Sequence, residues 1–294
     1  MYKRQVVNDA ITSLASSGGG RILIKSGDYT LSSTIYLDNN VVLMGEGKST
    51  KIVVDADVDA IKTRYPQGAP HYNITVANLY IKGYGSGSGS GIRIYNTYNA
   101  KVFGVYVENV GYDGILIQDH CYKVIITHNF VWGGGATGDD GIDTYDHVED
   151  IIITNNVVIG IKNDGIHCGG NASHHIISNN IVKNVGGIGI SVHLASNDFI
   201  VADNTIISSG IYGIRVEDST NVIISNNIID DPSSDGIMIN YDTQTTQDIM
   251  VIGNRVYNGQ MGIRVQPNAK RVLIENNYVE SPSSTGIYSY GLED

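Results

Sequence analysis

The chain of 294 residues is poor in the residues that usually organise a domain of its size: two cysteines, five prolines, three phenylalanines and one tryptophan. Two cysteines, Cys121 and Cys168, cannot build a disulfide framework, and both are expected as small buried hydrophobes. No run of about 20 apolar residues occurs, which leaves nothing in the sequence to span a membrane as a helix. Basic residues are also scarce, 19 Lys and Arg against 30 Asp and Glu, for a formal charge of −11. That balance argues against a nucleic-acid partner, which needs a basic face. It also means that a polyanionic ligand would need a local basic patch or a cation.

What the chain does have is 35 glycines, 19 tyrosines and many short apolar runs. Apolar residues at helical spacing from Val6 to Ala15 predict one short amphipathic helix, a cap at the N-terminal end. Gly18-Gly19-Gly20 ends it. Short strands separated by Gly, Ser, Asp and Asn then follow about every ten residues.

From Asn73 onward the pattern is an internal repeat. A Gly-Ile pair recurs at Gly91, Gly114, Gly141, Gly165, Gly189, Gly213, Gly236, Gly262 and Gly286, spaced 23, 27, 24, 24, 24, 23, 26 and 24 residues apart. Each period also carries one equivalent asparagine: Asn129, Asn156, Asn180, Asn204, Asn227, Asn254 and Asn277. A period of this length with strands and no helix predicts a solenoid whose coils stack ~4.8 Å apart, with the asparagines in a hydrogen-bonded ladder. The leucine-rich alternative lacks its Leu-x-x-Leu-x-Leu signature. The fold class is therefore all-β, a right-handed parallel β-helix of about eleven coils, roughly 50 Å long. Residues 1–294 form one domain.

Strand alternation sorts the side chains around each Gly-Ile pair. The Ile and the residue two further on face inward, so the second and fourth residues after Gly form two outward columns. The first runs Arg93, Leu116, Asp143, His167, Ser191, Arg215, Met238, Arg264, Tyr288. The second runs Tyr95, Gln118, Tyr145, Gly169, His193, Glu217, Asn240, Gln266, Tyr290. Asp143 should then touch His167, Gly169 should open a gap between Tyr145 and His193 wide enough for a sugar ring, and Arg215 should lie two coils from His167. Asp113, Asp140 and Asp164, each just before a repeat glycine, should form a carboxylate ridge. Trp132, before the insertion Gly133-Gly134-Gly135-Ala136-Thr137, is a candidate sugar-stacking platform, and Asp164 and Glu217 are candidates for substrate contacts. His120, His128, His174 and His175 fall in turns and read as surface or ladder residues. The concentration of Asp, Tyr and His in three successive coils, where inward Thr144 and Cys168 also break the aliphatic rule, marks the candidate site.

The helix followed by Gly18-Gly19-Gly20, then Lys25-Ser26-Gly27-Asp28-Tyr29, Val41-Val42-Leu43-Met44-Gly45-Glu46-Gly47 and the coils resemble the pectate-lyase-like superfamily. That superfamily contains lyases, hydrolases, epimerases and phage tailspikes, so the resemblance implies the fold and leaves the chemistry open. Gly141-Ile142-Asp143 with Asp164-Gly165-Ile166 resembles the Gly-Phe-Asp and Asp-Gly-Phe motifs of mannuronan epimerases and related lyases, with Tyr145 and Gly187 where those have histidine and arginine. Proton abstraction beside a uronate carboxylate needs a base, an acid and a neutraliser. His167 or His193 can be the base, Tyr145 the acid, and Arg215, or a calcium ion held by Asp139, Asp140 and Asp143, the neutraliser. Tyr112-Asp113-Gly114 and Gly138-Asp139-Asp140-Gly141 resemble motifs of polygalacturonases, which implies Asp139 as general acid with Asp113 and Asp140 orienting water. A third reading is a glycan-binding module without catalysis.

The expected partner is a polysaccharide, an acidic one in the first reading, with no nucleic acid or membrane and a monomeric protein. A secreted or cell-surface location is expected. Residues 1–5 resemble the translation of a sequencing adapter, and the last Gly-Ile coil stops without a cap, so both ends read as truncated and any export signal would precede them.

Overall fold

The computed structural model describes residues 2–64, 69–133, 139–240 and 246–290. After the helix Tyr2–Ser16 the chain winds through three parallel sheets of eleven strands each. The first sheet runs from Gly20–Leu23 to Ala269–Glu275, the second from Gly27–Leu31 to Tyr278–Glu280, and the third from Ile35–Leu37 to Thr285–Ser289. Each coil contributes one strand to each sheet, and every strand pairs with its counterparts one coil before and one coil after. This is the expected parallel solenoid of eleven coils. The helix closes the N-terminal end of the core. Its Ile11 is fully buried, while Asn8 Oδ1 accepts the Tyr36 N–H at 2.9 Å and Asn8 Nδ2 donates to the Thr34 carbonyl at 3.3 Å.

The core is a column of aliphatic side chains from all three sheets, chiefly Ile, Val and Leu with no exposed surface. Alternation places them there, and the repeat glycines let the sheets approach. A Cβ on Gly141 would sit 2.4 Å from Val158 Cγ1 and 2.5 Å from the Gly165 carbonyl oxygen. No side chain fits there, and the same holds at the equivalent Gly165 and Gly189. Both cysteines are free and buried, as expected.

The asparagine ladder forms as the spacing predicts. Asn129, Asn156, Asn180, Asn204, Asn227 and Asn254 each donate Nδ2–H to Oδ1 of the next asparagine at 2.9–3.0 Å and a second N–H to a carbonyl of the preceding coil. Each Oδ1 from Asn156 to Asn277 also accepts the backbone N–H of the preceding asparagine. Every polar atom of these buried amides is thereby paired, which is the condition for burying them at all.

One expectation for the turns fails. His175 is fully buried in the first sheet, stacked on Phe199 with ring centroids 4.6 Å apart and its Nδ1 on the Ser173 carbonyl at 2.8 Å. Its neighbour His174 holds a left-handed backbone (φ 55°), so the strand is kinked there and side-chain direction no longer follows the count from the turn.

The ladder generates a test. Replacing Asn180 by Ala leaves the Asn156 N–H and Nδ2 and the Ile153 carbonyl unpaired in the core, a cost of about 3 kcal/mol or more. Replacing the half-buried terminal Asn277 should cost clearly less. Urea midpoints compare the two, and equal losses would mean that the ladder contributes no more inside the stack than at its end.

Candidate functional site

The third sheet carries the candidate site on its outer side, and the observed register reproduces both columns. Leu116, Asp143, His167, Ser191 and Arg215 follow one another across the strands Ile115–Gln118, Ile142–Tyr145, Ile166–Gly169, Ile190–Val192 and Ile214–Val216. Gln118, Tyr145 and Gly169 follow in the second column, which His193 and Glu217 continue through backbone hydrogen bonds to Cys168 and Val192.

The two columns differ more than alternation suggests. Leu116, Asp143, Ser191 and Met238 are 2%, 7%, 0% and 0% exposed, whereas Tyr145 is 38% exposed. Around the centre of the sheet Asp143 therefore lies at the floor of a groove and Tyr145 at its rim, while farther along Glu217 and Asn240 of the second column are buried as well, at 8% and 0%. An apolar cluster of Ile188, Tyr212 and Met238 roofs part of it.

At the centre the expected contact is present: His167 Nδ1 lies 2.6 Å from Asp143 Oδ1, and Asp140 Oδ2 stands 3.8 Å from the same nitrogen. The other ring nitrogen, Nε2, makes a short hydrogen bond to His193 Nε2. The space beside Gly169 is narrower than expected. A Cβ there would meet His193 Cδ2 and Nε2 at 3.1 Å, so the His193 ring leans over the glycine and a side chain at this position would push it aside. Tyr145 stands on the other side, its ring centroid 6.3 Å from that of His167.

Burial and charge set the protons. For His167 the largest influence is burial, which disfavours the cation, but the hydrogen bond and charge of Asp143, with the charges of Asp140 and Asp164, outweigh it and lift the imidazole to about 9. His193 is pushed down to about 3 by burial, then by the positive charges of His167 and Arg215. At neutral pH the pair is therefore one imidazolium donating to one neutral imidazole. Arg215 is pinned beside them, with Nη2 donating to Ser191 Oγ at 3.0 Å and Nη1 3.3 Å from Glu217 Oε2. Ser191 was not singled out from the sequence, although its place between His167 and Arg215 in the column was the available signal.

The carboxylate ridge is not an exposed ridge. Asp113, Asp140 and Asp164 are 1%, 6% and 5% exposed. Asp113 Oδ1 accepts the Asp140 N–H at 3.0 Å, Asp140 Oδ1 accepts the Asp164 N–H at 2.8 Å and Asn163 Nδ2 at 2.9 Å, and Asp164 Oδ1 accepts the Ile188 N–H at 2.7 Å. These turns leave an amide in each coil without a strand partner, and the aspartate of the preceding coil supplies one. Burial first, and neighbouring carboxylates after it, push Asp140 up to about 7, and burial is also the main force raising Asp113 and Asp164. Asp139, half-buried beside this ladder, takes no part in it through its side chain.

The calcium expectation does not match the donor set. Asp140, Asp143 and His167, not Asp139, bring ligand atoms within 4.8 Å of one another. Calcium takes about six to eight oxygens, while this group offers two carboxylates and a nitrogen that bears a proton paired with Asp143. Trp132 is not part of this constellation. It ends the second-sheet strand Phe130–Trp132, 40% exposed, with its indole Nε1 3.3 Å from the position a Cβ would take on Gly160. Gly138 and the insertion residues 134–137 lie outside the described residues. Asp146 and His147 pair with each other at 2.6 Å in the next turn.

No helix among the described residues is long and apolar enough to cross a membrane. Solved structures share the fold. The A-module of the mannuronan C-5 epimerase AlgE4 from Azotobacter vinelandii superposes with a TM-score of 0.77 at 17% identity, over 99% of this chain and 96% of that one. DFA-IIIase from Arthrobacter chlorophenolicus A6 gives 0.79 at 15% identity, over 94% and 83%. The Streptococcus pneumoniae surface adhesin PfbA gives 0.68 at 15% identity, over 97% and 89%. No curated protein matches in sequence. At such identities the likeness is one of architecture. A family described as right handed beta helix region matches residues 90–247 and 151–293, which together span more than half of the sequence. The chain belongs to that right-handed β-helix family.

Proposed function

We propose that this chain is a carbohydrate-active enzyme that removes the proton beside the carboxylate of a uronate unit in an acidic polysaccharide, leading to epimerisation or elimination. The observation that carries the reading is the chain Asp143–His167–His193, in which one histidine is held charged and its neighbour is held neutral. A secreted or cell-surface protein acting on such a glycan is consistent with it, and the fold is shared with an enzyme named as a mannuronan epimerase and with a surface adhesin.

The roles follow from the proton states. His167 is a cation and cannot accept a proton, which leaves His193 as the base; the burial and the His167 charge that hold its proton affinity down are offset when an anionic carboxylate pairs with His167. A uronate carboxylate entering the groove takes the Nε2–H of His167, which frees the His193 Nε2 lone pair to face the adjacent C–H. The charge of His167 then stabilises the negative charge that develops on the carboxylate as the proton leaves. Tyr145, two coils from His193 in the same column with only Gly169 between them, stands at the far side of the sugar. Its hydroxyl returns a proton to the opposite face of the carbon in epimerisation, or to the departing glycosidic oxygen in elimination. Asp143 positions His167 and holds its charge.

One observation favours hydrolysis instead: Asp140, raised to about 7, has the proton affinity of a general acid at neutral pH. Its Oδ1, however, already accepts two N–H groups, and Asp113 and Asp164 are engaged in the same amide ladder. Of the carboxylates named for hydrolysis only Asp139 stays outside that ladder, which is why this reading ranks second.

A panel of polyuronates and neutral glycans separates the outcomes. Ultraviolet absorbance of an unsaturated product reports elimination, altered uronate composition without scission reports epimerisation, and new reducing ends without that absorbance report hydrolysis. His193→Ala and Asp143→Asn should each lower kcat by about 100- to 1000-fold, with the urea midpoint of each variant checking that it folds. Full activity in both would remove the site from consideration.

The pH profile gives a second test. His167 is raised from 6.5 to about 9, so its charge, and the stability that charge brings, is fully present below 6.5 and is lost as pH rises through about 9. kcat/KM should therefore hold a plateau from neutral pH and fall near pH 9, and residual activity of Asp143→Asn should show that fall at lower pH. An acid limb set by His193 would appear only near pH 3. Catalysis by protonated Asp140 would instead decline through about pH 7.

A further inference from the structure

The floor of the groove carries cations in a regular phase. His167, Arg215 and Arg264 occupy the first, third and fifth of five successive coils, with Ser191 and Met238 on the coils between them. Two coils rise roughly 10 Å. Each arginine is partly accessible, at 18% and 19% of the side chain, and each is held by local contacts: Arg215 by Ser191 and Glu217, Arg264 by Asp235 at 2.6 Å and Tyr212 Oη at 3.4 Å. A guanidinium has five N–H donors, more than these contacts use. Both arginines also leave the Nε–H buried and without a partner. Ser191 and Met238 between the cations are uncharged and fully buried, Met238 under Ile188 and Tyr212, so the surface between the cations carries no competing charge from this column.

An extended 1,4-linked pyranose chain advances by close to one coil height per unit and turns successive carboxylates to opposite sides. On either side, then, carboxylates recur every second unit, in phase with cations on every second coil. We propose that a polyuronate lies along the solenoid axis from His167 toward the C-terminal coils, with carboxylates of alternate units on Arg215 and Arg264. This rests on the uronate reading above and extends it to a binding site of at least five units. Arg215 receives the unit two places beyond the reacting one, and Arg264 the unit four places beyond. Arg93 provides an internal contrast. It belongs to the same column, also leaves its Nε–H unpaired and is held much as Arg264 is, over the rings of Tyr95 and Tyr112 and against Asp59, but it lies three coils on the other side of His167, out of phase.

The test is chain-length dependence. Oligouronates from trimer to octamer are assayed for KM and kcat, and for binding by calorimetry, with wild type, Arg264→Gln, Arg264→Gln with Asp235→Asn, Arg264→Lys and Arg93→Gln. The double variant avoids leaving Asp235 buried and unpaired. Removing the Arg264 charge should raise KM or Kd by about fivefold for pentamer and longer, the effect of one partly exposed charge contact. It should leave kcat and the trimer unchanged, Arg264→Lys should restore part of the affinity, and Arg93→Gln should have no effect. Losses equal at all lengths, no loss at any length, or an equal loss with Arg93→Gln would overturn the proposal, as would absence of oligouronate binding by wild type. Length-dependent binding through Arg264 without turnover would overturn the proposed chemistry while leaving this site standing.

Discussion

The parallel backbone ladder between coils is the constraint on which the rest depends. It fixes the rise at about 4.8 Å and locks equivalent positions of successive coils beside one another. A residue's chemical neighbours are then those one period away in sequence, so that Asp143 meets His167 across 24 residues. Rigid placement follows without any loop having to order. Asp143, Tyr145, His167, Ser191 and Arg215 sit on strands paired within the sheet, His193 follows directly after one, and neighbouring polar groups are bound in the asparagine and aspartate ladders. A site built this way is preorganised, which is what proton transfer between fixed groups requires.

The same regularity explains why so much could be read before the fold was seen. The Gly-Ile spacing and the one asparagine per period gave the solenoid, the number of coils and both columns, because a two-residue alternation inside a 24-residue period leaves little freedom. Asp143, Tyr145, His167, His193 and Arg215 were legible for that reason. What could not be read was depth. Alternation tells which side of a strand a side chain leaves, but not how deeply it lies, and Leu116, Asp143, Ser191 and Met238 are buried although they leave the outer side. The buried amides of those turns were equally invisible, so Asp113, Asp140 and Asp164 looked like exposed acids when they are acceptors for the next coil. His175 was misplaced because a left-handed residue before it breaks the count. Trp132 drew attention as the only tryptophan, beside the insertion in the same coil, but it ends a strand of the second sheet while Asp143 and His167 lie on the third.

Contact between the two imidazoles has a consequence for how the site can work. Two histidines sharing one hydrogen bond cannot both be charged without strong repulsion, and the carboxylates on one side decide which one keeps the proton. Asp143, Asp140 and Asp164 all lie toward His167, and Arg215 lies toward His193. The asymmetry of the surrounding charges, and not any difference between the rings, leaves one histidine charged and the other neutral, which is what the proposed roles draw on. A substitution that moved a charge across this line would reverse the roles.

A chain with a formal charge of −11 is an unpromising host for a polyanion if its carboxylates are counted by sequence. The count misleads at the groove. Burial raises the proton affinity of Asp113, Asp140 and Asp164, and Asp143 and Glu217 are paired with His167 and Arg215. The local field is thus far weaker than the acidic motif implies, and the donors that face the open groove belong to cations. Because buried carboxyls are least charged where the groove is deepest, an anionic ligand meets less repulsion at the floor than at the protein's surface, and the same burial that hides the acids strengthens every contact made to Arg215 and His167. The proposed anionic substrate is compatible with these acidic residues because the fold keeps them buried and engaged with its own amides.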